Sequence, residues 1–514
     1  MKLKLLLIFA LLLSHLAAAE EIVVGPGDSI QDAIDKAMPG DLIKVQSGTY
    51  YENLDVNKTL TLLGMDTGGG RPVIDARGRG SAVTLSEDGI RFEGFTVTNS
   101  SDSSKPMESK GFYKIEPEGI DPQLAFAGIL VEGSKNCTVE NNTAMLNDVG
   151  IHLWKADDNA VINNTARENT YAGIALSEHC RNNTISGNTA VKSIPGDGIR
   201  VSGSNNAFID NNASDNAFYG IMLWDSPNNI LQANIAQNNG YSGLWLMSSS
   251  GNSVTENNFI HNNESGISIW YSSNDSSISE NDLRNNSRYG IYIKSSSNNS
   301  ILRNGVMANE GWGIGLDNAR ENTVEANRVG DNPVGITLFD GSTHNLILNN
   351  SVSRSKHYGI QLSDASSNII AKNQVWRNGG GGIGLYNASD DNRIEGNNAS
   401  YNLFNGIDLD GCRKDVVRGN RVDYNEWGGI GLYFGCEENS IEDNEIGYNT
   451  WSGITLGKCK GNVVTGNNVT RNALGGIKLQ GCEDNLLFQN DLIENAMEGS
   501  TIRITSPLVE SLLE

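Results

Sequence analysis

The sequence predicts an all-β protein, a parallel β-helix solenoid that begins with an N-terminal capping helix. A Gly-Ile-x-Leu-like step recurs sixteen times between Gly128 and Gly476, at intervals of 22 to 25 residues. A short, regular repeat is typical of a solenoid coil, which buries its apolar side only by stacking on its neighbours. Apolar and polar residues alternate within each repeat, which indicates strands rather than helices. About 23 residues accommodate three such strands and three turns.

The first 19 residues are typical of a secretory signal peptide. Lys2 and Lys4 supply positive charge, residues 5–13 are mostly apolar, and the alanines at 17–19 suit cleavage. The apolar stretch is too short to span a bilayer comfortably, and no later segment is apolar enough to do so. We therefore expect a secreted protein without a membrane span after cleavage, located in the periplasm, at the cell surface or outside the cell.

Residues 20–100 are predicted to form an N-terminal cap and the first coils. Ser29 precedes Ile30, Ala33 and Ile34, whose spacing predicts a capped amphipathic helix that covers the open end of the solenoid. Short strands are predicted to follow at residues 42–45, 60–63, 82–85 and 92–97. Residues 101–127 lack periodicity and are predicted to be an inserted loop. The repeated coils are predicted at 128–506, and a C-terminal cap or tail at 507–514.

Asparagine marks two turns of most repeats, about nine and four residues before the repeat glycine. Asn281 and Asn286 stand in this relation to Gly290. We expect left-handed backbone at these asparagines, because Asn tolerates it. We also expect a stack of amides in which each side chain donates to one neighbour and accepts from the next. Both roles are structural.

Charge and cysteine usage narrow the class of protein. The formal net charge of −23 argues against binding nucleic acid, which needs a basic face. It also disfavours long-range attraction to polyanions. Cys412, Cys436, Cys459 and Cys482 stand at equivalent places in successive repeats, so their side chains should stack. Strand spacing permits disulfides there, and an unbonded column of thiols is equally compatible with the sequence.

The N-terminal segment also carries a family resemblance. Residues 27–34 (Gly-Asp-Ser-Ile-Gln-Asp-Ala-Ile), 39–41 (Pro-Gly-Asp), 48–50 (Gly-Thr-Tyr) and 72–75 (Pro-Val-Ile-Asp) resemble the NosD-type family. These are periplasmic accessory proteins described as copper-binding, within the wider group of carbohydrate-binding and sugar-hydrolase (CASH) domains. The resemblance implies a right-handed β-helix with the pectin-lyase-like fold. Because that fold hosts lyases, hydrolases, epimerases and binding proteins, it does not by itself assign an activity.

The outward positions of the Gly-Ile-x-Leu strand are the candidate binding residues. The Ile and Leu should point inward, which leaves the residues between and after them on the face that commonly binds substrate in pectin-lyase-like proteins. Aromatic side chains suit sugar rings, whose apolar C–H faces pack on aromatic planes. The alternative is an aromatic stack that only stiffens neighbouring coils. The outward aromatic residues are Trp154, Trp224, Trp245, Trp270, Tyr292, Phe339, Tyr386 and Tyr433.

One repeat places two carboxylates outward from the same strand. Asp408 and Asp410 lie two residues apart, so their Cα atoms should be roughly 6.6 Å apart. Inverting glycosidases use carboxyl pairs near this separation, which makes these two the candidate catalytic residues. No His stands at the neighbouring outward positions, so a calcium-binding or simply solvated pair is the competing interpretation.

Other chemistry is weakly indicated. For a polysaccharide lyase, Arg200, Lys294 and Lys478 are outward cations, but on widely separated repeats. For copper, Met222 and Met247 fall on adjacent repeats while His residues are scattered, so copper and Ca²⁺ are the two metals left open. The sequence therefore predicts a protein that binds a polysaccharide or cell-envelope glycan along its aromatic face, and it leaves open whether the protein also processes that glycan. A non-catalytic surface or assembly protein and a NosD-like copper-handling protein are the alternatives.

Overall fold

The computed structural model describes residues 19–102, 126–496 and 503–504. The chain divides into two compact units, Met1–Gly196 and Asp197–Glu514. Each unit is built of coils that carry up to three parallel strands, which confirms the predicted all-β right-handed parallel β-helix. The predicted signal peptide, most of the inserted loop and the C-terminal tail fall at 1–18, 103–125 and 505–514, outside the described residues. No helix in the described part of the chain has the length and apolar character to cross a membrane.

We call the sheet that contains the Gly-Ile-x-Leu strands the front sheet, and the next two along the chain the second and third sheets. In the first unit the front sheet comprises Leu54–Val56, Val83–Leu85, Ala127–Glu132, Val149–Trp154 and Ala172–Arg181. The second sheet comprises Glu21–Val24, Leu42–Val45, Thr61–Gly64, Arg91–Glu93, Thr138–Glu140, Ala160–Ile162 and Thr184–Ser186. The third comprises Thr49–Tyr50, Val73–Asp75, Thr96–Thr98, Thr143–Met145, Thr165–Arg167 and Thr189–Val191. Arg79–Gly80 and Ser101–Asp102 form an antiparallel pair.

The predicted helix spans Ile30–Lys36 in this unit. The Ser29 side chain accepts a hydrogen bond from the backbone amide of Asp32 at 3.1 Å, as expected of an N-cap. Ile30, Ala33 and Ile34 are buried, and the helix contacts the first strands of the second and front sheets. The helix itself is confirmed, while its role as a cap over the solenoid end stays a prediction.

The predicted strand at 92–97 is wrong, because two strands occupy this segment. Arg91–Glu93 belongs to the second sheet and Thr96–Thr98 to the third. Gly94 has a φ of +86° at the corner between them, a conformation that glycine adopts readily. Phe92 and Phe95 both point inward and stack with ring centroids 4.4 Å apart. Because both short strands are apolar and only one corner separates them, the sequence pattern predicts a single strand.

In the second unit the front sheet comprises Asp197–Ser204, Ile221–Trp224, Leu244–Met247, Ile267–Trp270, Ile291–Lys294, Trp312–Asp317, Val334–Phe339, Ile360–Ser363, Ile383–Tyr386, Ile407–Asp410, Ile430–Tyr433, Ser452–Gly457, Gly475–Gln480 and Arg503–Ile504. The second sheet comprises Ala207–Ile209, Ile230–Gln232, Ser253–Thr255, Ser277–Ser279, Ser300–Leu302, Thr323–Glu325, Leu346–Leu348, Ile369–Ala371, Arg393–Glu395, Val416–Arg418, Ser440–Glu442, Val463–Thr465 and Leu486–Phe488. The third comprises Asp282–Arg284, Gly305–Met307, Arg328–Gly330, Ser351–Ser353, Gln374–Trp376, Asn398–Ser400, Arg421–Asp423, Glu445–Gly447, Asn468–Thr470 and Asp491–Ile493.

Each coil of the second unit contributes the same few residues to the core. Ile291 and Ile293 of the front sheet, Ile301 of the second and Val306 of the third are all fully buried. The repeat glycine is required by close packing, since a Cβ at Gly290 would lie 2.2 Å from Val306 Cγ1. Strand alternation thus leaves the residues between and after the two apolar front-sheet positions on the outer face.

Buried asparagines line the corners in three ladders, two of which the sequence predicts. In one predicted ladder the Asn304 Nδ2 donates to Asn327 Oδ1 at 3.0 Å and to the Ile278 carbonyl at 2.9 Å. The amide stacking is therefore confirmed. The expected left-handed backbone is wrong, because it belongs to the preceding residue, for example Arg303 with a φ of +51°. The missed third ladder includes Asn392, Asp415 and Asn439.

All six cysteines are unbonded and buried. Cys436 Sγ donates to the backbone carbonyls of Tyr433 and Leu409 at 3.2 and 3.5 Å. Ser342 occupies the equivalent place on another coil, and its hydroxyl makes the same pair of contacts with Phe339 and Leu316. The thiol column that includes Cys436 therefore fills a site for a small hydrogen-bond donor, which favours the unbonded interpretation.

Candidate functional site

The outer face of the front sheet carries two columns of side chains. The first column holds the residue between the two inward apolar positions, and the second column holds the residue after them. Parallel register aligns each column from coil to coil, so that Tyr292 pairs with Gly315 and Lys294 with Asp317. Most of the candidate residues in the second unit fall in these columns, as predicted.

An aromatic ridge runs along this face in the second unit, formed by Trp224, Trp245, Trp270, Tyr292, Tyr289, Trp312 and Phe339. Trp245 meets Trp224 and Trp270 edge to face, with ring centroids 5.6 and 5.8 Å away. Trp270 contacts Tyr292 in the same manner at 6.3 Å. Tyr289 then stacks on Trp312 at 4.9 Å, and Trp312 contacts Phe339 at 4.7 Å. These ring contacts make one continuous surface.

Tyr289 and Trp312 were not predicted as part of the ridge, although their shared position next to a repeat glycine could have indicated it. Both immediately precede a repeat glycine, a position that the alternation argument does not place on the outer columns. Their rings reach the columns because glycine leaves space there. A Cβ at Gly315 would lie 3.0 Å from the Trp312 ring and 3.5 Å from the Tyr292 ring.

Ring exposure differs along the ridge. Trp245 points outward but is only 5% exposed, because Tyr219 stacks on it at 4.9 Å while Trp224 and Trp270 flank it. The expectation that its ring lies open is therefore wrong. Trp224, Trp270 and Trp312 are partly exposed, so a ligand can reach these ridge tryptophans.

Trp154 belongs to the first unit, where its surroundings differ. Its ring packs against a buried cluster that includes Leu130, Tyr171 and Ala175, and Lys155 lies 4.4 Å from the ring centroid. His152, on the same outward face, is fully buried with its Nε2 3.0 Å from Ser177 Oγ. Burial lowers the pKa of His152 to about 4, so it stays neutral near pH 7.

Asp408 lies at the centre of a second cluster on the front face. Tyr358 and Tyr386 both donate phenolic hydrogen bonds to its Oδ2 at 3.3 Å, and Asn405 Nδ2 donates to Oδ1 at 3.0 Å. Burial raises the pKa of Asp408, and the three hydrogen bonds partly oppose this shift. Burial and the adjacent Asp408 raise the pKa of Tyr358 to about 12, so this phenol remains a donor. Tyr358 and Asn405 were not predicted as partners of Asp408.

Glycines on the two neighbouring coils make room for this cluster. Asp408 pairs in register with Gly384 on one side and Gly431 on the other. A Cβ at Gly384 would lie 2.7 Å from the Tyr386 ring, and one at Gly431 would lie 2.4 Å from the Tyr433 ring. The tyrosine rings therefore lie over the glycines, on both sides of the carboxylate.

Asp410 is partly exposed and is not drawn into the hydrogen bonds that hold Asp408. Burial raises its pKa too. Neither carboxylate forms an ion pair with any residue in the described ranges. The two predicted catalytic residues thus share a strand and are both partly exposed, but three hydrogen-bond donors hold Asp408 and Asp410 lies outside that cluster.

Two of the outward cations each contact a single carboxylate. Lys294 Nζ lies 3.2 Å from Asp317 Oδ2, and Tyr292 donates to the same oxygen at 2.5 Å. Arg200 Nη1 lies 3.2 Å from Asp197 Oδ2. Asp317 and Lys294 are 23 residues apart and meet only through coil register, whereas Arg200 and Asp197 lie three residues apart in the same strand.

Apart from the thiol column, in which Cys459 is hydrogen-bonded to Cys436 and Cys482, soft metal ligands do not converge in the part of the chain that the structure describes. No group of three or more His, Cys, Asp or Glu side chains is arranged to hold a metal ion there. Met222 pairs in register with Trp245, and Met247 with Trp224, so the two thioethers lie in different columns. The buried thiols donate to backbone carbonyls.

The comparisons with known proteins concern both sequence and fold. A family model described as "Periplasmic copper-binding protein (NosD)" matches residues 39–205, 77–265, 181–356, 348–404 and 386–501, and so covers most of the chain. No curated protein sequence matches it.

Three solved structures illustrate the similarity in fold. The A-module of a mannuronan C-5 epimerase from Azotobacter vinelandii is 11% identical, with 93% of this chain and 95% of that chain covered and a TM-score of 0.33. An alginate lyase from a Paenibacillus species is 14% identical, with 72% and 98% covered and a TM-score of 0.32. A DFA-IIIase from Arthrobacter chlorophenolicus is 14% identical, with 65% and 95% covered and a TM-score of 0.42. At these values the similarity concerns the fold alone.

Proposed function

This chain belongs to the NosD family of periplasmic copper-binding proteins, and from its structure we propose that it is an exported β-helix protein that binds an extended polysaccharide along the aromatic ridge. The family description supports a periplasmic location. The proposal concerns binding, which the outer face of the front sheet supports better than any reaction.

The aromatic ridge is the observation that carries this proposal. Edge-to-face contacts turn successive rings through 71° and 81° from Trp224 to Trp270, so the rings do not close into a flat stack. By contrast, Trp427 and Trp451 stack face to face at 4.9 Å with planes 3° apart, so each ring covers one face of the other although both residues are exposed. A sugar ring needs an accessible aromatic face. The partly exposed Trp224 and Trp270 meet this requirement.

Charge restricts the class of polysaccharide. The net charge of −23 repels polyanions at long range. The ridge and the Asp408 cluster contain no unpaired arginine or lysine among their described contacts, since Lys294 is engaged with Asp317. A neutral or positively charged polymer therefore suits this face better than a uronate or sulfate polymer.

Copper does not fit the donors that the described residues bring together. Cu⁺ prefers sulfur and imidazole ligands held close to one another. Among the described residues no group of three or more His, Cys, Asp or Glu side chains is arranged to hold a metal ion; the thiols are buried and donate to backbone carbonyls or to one another, and His152 is enclosed. We derive no step through copper for this chain.

Affinity electrophoresis through gels that contain soluble polysaccharides tests the proposal. The panel includes a neutral β-glucan, a galactomannan, glycol chitosan and alginate. We expect Trp224→Ala with Trp270→Ala to weaken binding to the preferred polymer at least tenfold, about 1.4 kcal/mol. The matched control, Trp427→Ala with Trp451→Ala, removes two exposed tryptophans outside the front-sheet strands and should bind normally. Equal losses in both double variants would contradict the proposal, as would no binding to any polymer.

A further inference from the structure

The front face of the second unit holds two carboxylates without a cation. Asp317 has Lys294 at 3.2 Å, and Asp197 has Arg200 at 3.2 Å. Asp408 and Asp410 have no such partner in the described ranges. Asp408 is partly exposed and lies between tyrosine rings, and a carboxylate that loses part of its hydration normally has an opposite charge or a full set of hydrogen bonds, so Asp408 is the exception that requires an explanation.

Hydrogen bonding at Asp408 is incomplete. A carboxylate offers about four lone-pair sites, and three donors approach this one. Both phenolic bonds measure 3.3 Å, longer than the usual 2.7–2.8 Å of O–H···O contacts. The amide of Asn405 is oriented by the Gly428 backbone amide, which donates to its Oδ1 at 2.9 Å. The carboxylate is therefore held in place with capacity for one further donor.

Aromatic rings flank the same carboxylate on both sides. Tyr358 and Tyr386 meet edge to face with centroids 5.5 Å apart, and their rings lie over Gly384. The Tyr433 ring lies over Gly431 on the opposite side, with its hydroxyl 3.4 Å from Asn405 Nδ2. Tyr386 and Tyr433 are partly exposed. Aromatic faces around an anionic group attract organic cations through cation–π interactions and charge.

We propose that Asp408, with Tyr386 and Tyr433 beside it, binds a protonated primary amine, and that the ligand is the ammonium group of an amino-sugar residue in the bound polysaccharide. This inference rests on the proposed function and names its substrate class. The ammonium donates to the remaining lone pair of Asp408, while Asp410 adds a second negative charge on the same strand. The negative charge of the whole protein favours the same class of ligand.

A calcium ion suits this cluster less well. Ca²⁺ takes six to eight oxygen ligands, whereas Asp408 is approached by two hydroxyl donors and one amide donor that already use most of its lone pairs. No third carboxylate joins the two in the part of the chain described.

Isothermal titration with two matched oligosaccharides tests the inference. A hexamer of β-1,4-linked glucosamine and its fully N-acetylated counterpart share a backbone and differ only in the amine. In mildly acidic buffer, we expect the full chain to bind the amine form at least tenfold more tightly. Asp408→Asn should remove this preference and leave binding of the acetylated form unchanged. Trp270→Ala, six coils from Asp408 and so about 29 Å away at strand spacing, should weaken both oligomers and keep the preference.

A second set of measurements separates failure of this inference from failure of the ridge proposal. Monomeric glucosamine is too short to span the ridge, so its saturation-transfer NMR signal reports on Asp408 alone. We expect the signal with the wild type and with Tyr433→Phe, and its loss with Asp408→Asn and Tyr433→Ala. Equal affinity for the two hexamers, or a preference that survives Asp408→Asn, would overturn the inference while leaving the ridge proposal intact. Calcium binding that depends on Asp408, without glucosamine binding, would also overturn it.

Discussion

The backbone amide of Asn392 donates a hydrogen bond to Asp415 Oδ1 at 2.7 Å, so an aspartate occupies a rung of the third, mostly asparagine ladder. Asp415 is fully buried, and its Oδ2 has no hydrogen-bond partner in the described ranges. On the flanking rungs the corresponding atom is an amide nitrogen. Asn392 Nδ2 donates to Ala365 O, and Asn439 Nδ2 donates to Cys412 O. A protonated Asp415 supplies an O–H donor in the same place.

Asp415 should make stability depend on pH. Burial raises its pKa to about 8 in the folded protein, far above the unfolded value of about 3.9. The folded state therefore binds more protons between these values, and stability falls as pH rises from about 4 to about 8. At pH 5 we expect Asp415→Asn and the wild type to unfold at a similar temperature. Near pH 8.5 the variant should unfold at a higher temperature than the wild type, because the free energy of unfolding of the wild type has then fallen by an amount on the order of a few kcal/mol.

Circular dichroism melts at several pH values measure this effect. Asp210→Asn, at an exposed turn, is the matched control and should follow the wild-type pH profile. A wild-type melting temperature that stays constant or rises over this pH range in step with Asp415→Asn would show that Asp415 is ionised in the fold.

Single rungs of the asparagine ladders should contribute strongly to stability. Asn304 donates to Ile278 O and Asn327 Oδ1, and its own Oδ1 accepts from the Asn281 backbone amide at 3.0 Å. Asn304→Ala leaves these buried groups without partners, at about 1–3 kcal/mol each. We expect urea unfolding at clearly lower concentration than for Asn263→Ala, whose side chain is exposed. Equal urea midpoints for the two variants would show that this rung of the ladder does not contribute to stability.

The fold is predictable from the sequence because the same alternation of apolar and polar residues recurs in repeat after repeat. The site is less predictable. Alternation places Trp245 outward, yet the rings of Tyr219 and Trp270 bury it, and such burial depends on side chains from neighbouring coils. Tyr358 and Asn405 reach Asp408 from positions just before a repeat glycine, where the two-residue period does not hold. Predicting a contact between coils requires knowing which residue of one coil lies beside which residue of the next. The repeat length varies from coil to coil, so the period gives this register only approximately.

The thiol column should be chemically silent in the folded protein. The four thiols of the column, Cys412, Cys436, Cys459 and Cys482, are at most 6% exposed. Burial raises the pKa of Cys412, whereas hydrogen bonds with Cys459 lower the pKa of Cys436 and bring that of Cys482 to about 6. The thiolate is the reactive form, but a bulky reagent does not reach a buried sulfur, so we expect little labelling by a maleimide under native conditions. After denaturation without reductant, intact mass should show six labelled thiols. Four labels or fewer would instead indicate a disulfide within the column, the alternative that the sequence leaves open.

Asp408 and Asp410 remain the predicted catalytic pair, and product analysis decides between binding and hydrolysis. A general acid has to present its proton to the glycosidic oxygen within hydrogen-bond reach, but Asp408 is directed toward Tyr358, Tyr386 and Asn405. We therefore expect binding without depolymerisation, so mass spectrometry should detect no new oligosaccharides after long incubation with the preferred polymer. If products appear and vanish with Asp408→Asn and Asp410→Asn, the carboxylates act as acid and base. In that case the hydrogen bonds to Asp408 must rearrange when substrate binds, and Tyr386→Phe should then raise the rate rather than lower it.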